Sequence, residues 1–198
     1  LVSGEFRIVQ ADAMGGLRLP VSPASRIRYS VISQAPQLAA DERIASAQDY
    51  PDAILAHYLQ VPMASQHVAD LARRVSREAT TPFERTLAIQ QHLLKNYSYS
   101  LEADTATLSH PLEEFLFTRK TGYCEHYATA MVVMLRTVGI PARLVTGFLA
   151  TEWNEYGGYF TVRQRDAHAW VEVYFPRSGW ITMDPTPTVY TAVSSNRW

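Results

Sequence analysis

The chain has 198 residues, 47% hydrophobic and 19% charged, which suits one packed globular domain with room for a smaller appendage. With 18 Lys and Arg against 19 Asp and Glu, the formal net charge is −1, which excludes the electrostatic footprint of a nucleic-acid or anionic-membrane binder. The single cysteine excludes an internal disulfide, and there is no apolar run of about 18 residues to cross a bilayer.

The chain starts at Leu1 with neither a charged nor an apolar leader segment, and the missing initiator methionine leads us to expect a piece of something longer. Residues 1–48 carry β-prone runs, "FRIV" and "RIRYSVIS", broken by Gly15-Gly16, Pro20 and Pro23, and are expected to form a β-rich segment. From residue 49 the pattern turns helical. "PDAILAHYL" is followed by "SQHVADLARRVSREA", in which Val68, Leu71, Ala72 and Val75 share a stripe. Thr81-Pro82-Phe83-Glu84 has the form of a capping box with proline at the first helical position, and predicts a helix to about Asn96 that buries Phe83, Leu87 and Leu94. A polar loop from about Ser100 to His110 and a short helical run, "PLEEFLF", come next.

The following helix carries the only cysteine. With Gly122 as N-cap, Cys124 lies in the first turn and shares a face with Ala128, Met131, Val132 and Leu135. Gly139 supplies a left-handed stop, and Pro141 prevents resumption. Beyond it the pattern becomes strands: "ARLVTGFLA", "GYFTVRQ", "AHAWVEVYF" and "WITMDPT". Helices followed by a strand meander predict an α+β domain, with the cysteine helix packed on an antiparallel β-sheet.

A helix N-terminus favours negative charge, so Cys124 is placed as a thiolate nucleophile would be. A small buried core cysteine is the alternative. A nucleophile needs a base. His57, His67 and His92 fall on helices, His110 in a loop, and His126 is two residues past Cys124, a spacing that points to a different helix face. His168 instead lies on a strand, with Trp170 and Glu172 on the same side. Asp184 ends the next strand and can orient an imidazole, although an aspartate before proline is also a common turn former. A three-residue turn over 177–179 puts Asp184 opposite Glu172, on the His168 side but four residues away, roughly 13 Å at strand rise. A bulge, a longer loop or strong twist must then close that gap.

Together, "TGYCEHYATAMVVMLRTVGIPARLVTGF" and "DAHAWVEVYFPRSGWITMDPTP" resemble the transglutaminase-like core domain, through glycine two residues before cysteine, "R-x-x-GIPAR-x-V-x-G", "HAW-x-E" and "GW…DPTP". The resemblance covers about residues 85–188 of a catalytic domain spanning 49–198. It implies a transglutaminase/cysteine-proteinase-like fold, with Cys124 as nucleophile, His168 as general base and acid, and Asp184 as the orienting group. The helical region and "NYSYS" before the core resemble the TgpA type of membrane-anchored bacterial proteins. That implies a periplasmic, cell-envelope location for a fragment soluble by itself, with protein or peptide substrates and no nucleic-acid partner.

The implied activity is acyl transfer from glutamine to an amine. Hydrolysis by a cysteine protease, amidase or deamidase on peptide or peptidoglycan-stem substrates is the alternative on the same scaffold, and a non-catalytic binding module is a third. Tyr97 and Tyr99 are candidates for a second oxyanion donor beside the Cys124 N–H. A papain-type site is excluded by Thr118 and Glu125, where glutamine and tryptophan would stand. The sequence has no G-x-S-x-G elbow, no paired cysteines, no H-E-x-x-H and no EF-hand, so neither a metal nor a cofactor is expected.

Overall fold

The computed structural model describes residues 2–4, 10–11, 17–20, 29–32, 36–43, 49–61, 66–102 and 110–187. The expected strand "FRIV", the Gly15-Gly16 and Pro23 breaks and most of the 100–110 loop lie outside these residues. The chain divides into two compact units, Leu1–Ala35 and Pro36–Trp198. In the first, β1 (Val2–Gly4) pairs with β4 (Tyr29–Val31), and β2 (Gln10–Ala11) pairs with β3 (Leu17–Arg18), both antiparallel.

The second unit opens with three helices, α1 (Asp52–Tyr58), α2 (Gln66–Val75) and α3 (Pro82–Asn96). On α2 the expected stripe holds, with Val68, Leu71 and Ala72 buried and Val75 partly so. The α3 capping box is complete. Thr81 Oγ1 accepts the Glu84 N–H at 3.1 Å, and the Glu84 carboxylate accepts the Thr81 N–H at 3.1 Å. The face α3 buries is rotated one position from expectation: Pro82, Thr86, Ile89 and Leu93 are buried, while Phe83, Leu87 and Leu94 are half-buried. Thr86 tolerates the interior because its hydroxyl donates to the Pro82 carbonyl at 2.8 Å.

A short strand β5 (Ser98–Tyr99) follows. The helix α4 (Pro111–Glu113) then widens into a π-helical turn over Glu114–Arg119, which ends at Lys120 in the left-handed conformation, φ 52°. Lys120 redirects the chain into β6 (Thr121–Gly122), which runs parallel to β5 and leads directly into α5 (Cys124–Thr137). Tyr127, Ala128, Ala130, Met131, Met134 and Leu135 are fully buried, so α5 is the centre of the core. It stops as expected: Gly139 takes φ 81°, its N–H donates to Arg136 O, and the Ile140 N–H donates to Leu135 O at 3.0 Å.

The sheet is antiparallel and three-stranded, in the order β11 (Gly179–Met183), β10 (Ala167–Phe175), β7 (Ala142–Phe148). Ala169, Val171, Val173 and Phe175 form its buried face, and α5 packs on β10 and β7. On the other side Tyr58 of α1 packs edge-on against Trp180, with ring centroids 4.6 Å apart. The expected α+β architecture is therefore present, with one change to the meander. The "GYFTVRQ" segment does not join the sheet. Its strand β9 (Tyr159–Thr161) pairs with β8 (Glu152–Asn154) in a separate hairpin, whose base is closed by the Leu149 N–H donating to Asp166 O.

Candidate active site

The hairpin joining β10 to β11 fixes the site. Its loop is Pro176-Arg177-Ser178, with Phe175 opposite Gly179, rather than 177–179. The Ser178 N–H donates to Phe175 O, so Pro176 takes the second position of a type I turn, where its fixed φ belongs, and Gly179 follows at φ 73°. The turn thus starts one residue early and Gly179 enters the ladder. Val171 pairs with Met183, so one further step sets Asp184 beside Trp170, two residues from His168 instead of four. Such diagonal neighbours lie about 7–8 Å apart at Cα, within reach of an imidazole and a carboxylate. No bulge is needed.

The side chains meet accordingly. His168 Nε2 lies 2.7 Å from Asp184 Oδ2, and since a carboxylate only accepts, the ring donates. The pair is part-buried, at 10% and 30% side-chain exposure, so solvent screens it less than a surface ion pair. Asp184 Oδ1 accepts the Thr186 N–H at 2.9 Å, and Gln90 of α3 donates to the Asp184 carbonyl at 2.9 Å. Burial pushes the Asp184 carboxyl up, but the hydrogen bonds from His168 and Thr186 outweigh it and hold it below the usual carboxylate range.

Cys124 is the first residue of α5 and half-buried. Its side chain lies close enough to His168 to contribute to raising the imidazole's pKa. With Nε2 turned to Asp184, Nδ1 is the ring nitrogen left for sulfur. The Asp184 hydrogen bond first and the Cys124 hydrogen bond second raise the His168 pKa to about 9, against the lowering effect of burial. All three residues singled out in the sequence therefore come together.

The N-cap of α5 is Tyr123 rather than Gly122, which places Cys124 at the first helical position and His126 at the third. Gly122 instead pairs with Tyr99 in the β5–β6 ladder, and the Ser100 N–H donates to its carbonyl at 2.9 Å. Of the two tyrosines considered as oxyanion donors, Tyr97 is buried and its hydroxyl donates to Leu116 O at 3.1 Å, so it is committed to the core. Tyr99 is half-buried and pairs with Gly122, two residues before Cys124.

Trp170 lies on the His168 side, its ring at 6.2 Å and 23° from the imidazole. A Cβ on Gly147 would come within 2.7 Å of that indole, which explains glycine at this β7 position, opposite His168. Arg143, given no role by the sequence, pairs across the strands with Glu172, Nε to Oε2 at 2.7 Å, and its guanidinium sits 4.2 Å from the Trp180 ring centroid. Gln90 also escaped sequence reasoning, since a helix glutamine bonded 94 residues away leaves no local signal. Among the described residues no group of three His, Cys, Asp or Glu side chains could hold a metal ion, and no helix is long and apolar enough to cross a membrane.

A half-buried cysteine opening a helix, beside a histidine that is bonded to an aspartate on an antiparallel sheet, defines a thiol-site α+β domain. The family model for the transglutaminase-like superfamily matches residues 69–185, and the chain belongs to that family. It is 40% identical over 132 residues to a protein-glutamine gamma-glutamyltransferase of Pseudomonas aeruginosa, and 36% identical over 138 residues to YebA of Bacillus subtilis. Each match covers 65% of this chain but 19% of the relative, so the chain spans about a fifth of those proteins. The crystal structure of the periplasmic domain of TgpA from P. aeruginosa superimposes with a TM-score of 0.74 at 30% identity, covering 93% of this chain and 62% of that one.

Proposed function

We propose that Cys124, His168 and Asp184 act as a catalytic triad for thiol-dependent acyl transfer from a peptide glutamine to a primary amine. The observation that carries this reading is the position of His168 between a carboxylate and a thiol, with its pKa raised to about 9. At neutral pH the ring then holds a proton, and in the proposed cycle that proton comes from Cys124, whose sulfur attacks as the thiolate.

The thiolate sulfur attacks the carboxamide carbon. A C–S bond forms, and the carbonyl π pair moves to oxygen. That oxyanion is held by the Cys124 N–H, which as the first amide of α5 has no intrahelical partner. Tyr99 is the remaining candidate for the second donor. As the carbonyl re-forms, the C–N bond breaks and the leaving nitrogen takes the proton from His168, releasing ammonia. The thioester on Cys124 is resolved by an amine, whose proton passes to His168 as the C–S bond breaks. Asp184 holds the ring in the tautomer that presents Nδ1 to sulfur.

The similarity to a named glutamyltransferase supports transfer as the outcome, and the likeness to a TgpA periplasmic domain supports an extracytoplasmic position within a longer, membrane-anchored protein. Mass spectrometry of a glutamine peptide incubated with the domain and a primary amine tests the chemistry. An amine adduct with loss of ammonia is expected. A gain of water in place of ammonia, or chain cleavage, would reassign the domain to hydrolysis.

A further inference from the structure

We infer that His126 is a positioning residue that sets the nucleophile turn, an inference that rests on the reading of Cys124 as nucleophile. It occupies the third position of α5, and its Nδ1 accepts the Tyr123 N–H at 3.2 Å. That is the half of a capping box that Glu or Gln usually fills. The reciprocal bond comes from the Tyr123 backbone, whose carbonyl accepts the His126 N–H at 2.9 Å, and not from the tyrosine side chain, which makes no cap. The end of the helix is therefore fixed in place while the Cys124 and Glu125 N–H groups are not taken by a cap.

The ring is held firmly enough to do this. It stands nearly perpendicular to Tyr123, with centroids 4.3 Å apart, and lies 5.6 Å from Phe115 of the π-helical turn. It also covers Gly122: a Cβ there would fall 2.9 Å from His126 Cβ and Cγ and 3.0 Å from Nδ1. The glycine two residues before the cysteine is thus explained by the imidazole rather than by its own backbone. Burial lowers the His126 pKa, opposed in part by Glu125, and this suits the neutral ring that an accepting Nδ1 requires. The side chains lining the small cavity on this face from the 111–119 segment are Pro111, Leu112 and Phe115, none of them charged. His126 does not touch the reacting atoms. It orients the peptide that carries the Cys124 N–H and Sγ.

The test is the rate of iodoacetamide alkylation of Cys124, the sole thiol, in wild type, His126→Leu and His126→Gln, together with hydrogen exchange at the Tyr123 amide. His126→Leu keeps the apolar contacts and removes the acceptor, so alkylation should slow about tenfold or more and the amide should exchange faster. His126→Gln restores an acceptor and should stay within about threefold of wild type. Gly122→Ala should mimic His126→Leu, and should do somewhat less harm when His126 is already alanine, because the contacts with Cγ and Nδ1 are then gone and only the one with Cβ remains. Wild-type alkylation in His126→Leu with a protected Tyr123 amide would overturn the inference, as would a glutamine variant as slow as the leucine one. An unreactive wild-type Cys124 would instead sink the nucleophile reading, and the Tyr123 amide would still decide whether His126 holds the turn.

Discussion

Two helices of this domain begin in opposite ways. At α3 both halves of the capping box are made, and Thr81 and Glu84 satisfy each other's backbone amides. At α5 the third residue reaches back through His126, but the N-cap answers only with its carbonyl and not with a side chain, and Cys124 sits at the first position. A closed terminus contributes stability and does no chemistry. An open terminus forgoes that contribution and leaves N–H groups for a developing oxyanion. On the proposed mechanism, the difference separates a structural helix from one built to react.

The comparison can be broken most severely at sulfur. Cys124→Ala should abolish alkylation outright and reduce acyl transfer about 10³-fold or more, with an unchanged far-UV spectrum, because only a half-buried thiol is removed. Asp184→Asn should cost about 10²-fold or more in kcat by removing the group that orients the ring. It should also move the basic limb of the pH profile well below about 9, since the Asp184 hydrogen bond is the largest cause of the raised His168 pKa. Gly147→Ala presses a methyl into the Trp170 indole and should slow alkylation about tenfold, with a destabilisation of roughly 1–3 kcal/mol in urea melts. The smallest effect should come from the closed terminus. Thr81→Ala removes its cap and should lower stability by about 1 kcal/mol, yet leave the alkylation rate of Cys124 unchanged. A slower rate in that variant would erase the distinction between the two termini.

Linkage adds a pH test. An unfolded imidazole titrates near 6.5 and folded His168 at about 9, so the folded state binds this proton more tightly. The resulting stability is fully present below about pH 6.5 and is lost as pH rises through about 9. Between those values the melting temperature of wild type should fall more steeply than that of His168→Gln.

Local chemistry is what made parts of this molecule legible in sequence. The α3 box, the Gly139 stop, the α2 stripe and the alternation of β10 each depend on neighbours within a few positions, and each was read before the fold. A helix start, a strand face and a strand end single out Cys124, His168 and Asp184 as candidates, and the family resemblance, not local features, supplies the roles proposed for them. The 13 Å gap between His168 and Asp184 follows from a turn at 177–179, whereas the lost N–H and fixed φ of Pro176 fit it for the turn and shift the register. The roles of Gln90 and Arg143 could not be read, because each is defined by a partner brought close only by tertiary packing or by strand register. The β8–β9 hairpin has strand-like residues throughout, and only the pairing shows that it leaves the sheet.

Central to all of this is an imidazole kept cationic at neutral pH by a carboxylate on one side and a thiol on the other. Heteronuclear NMR titration of His168, assigned with His168→Gln, measures it directly. The midpoint should lie near 9 in wild type, lower in Cys124→Ala, and lowest in Asp184→Asn, in the order of the two hydrogen bonds that raise it. A wild-type midpoint near 6.5, unmoved by either substitution, would contradict the account.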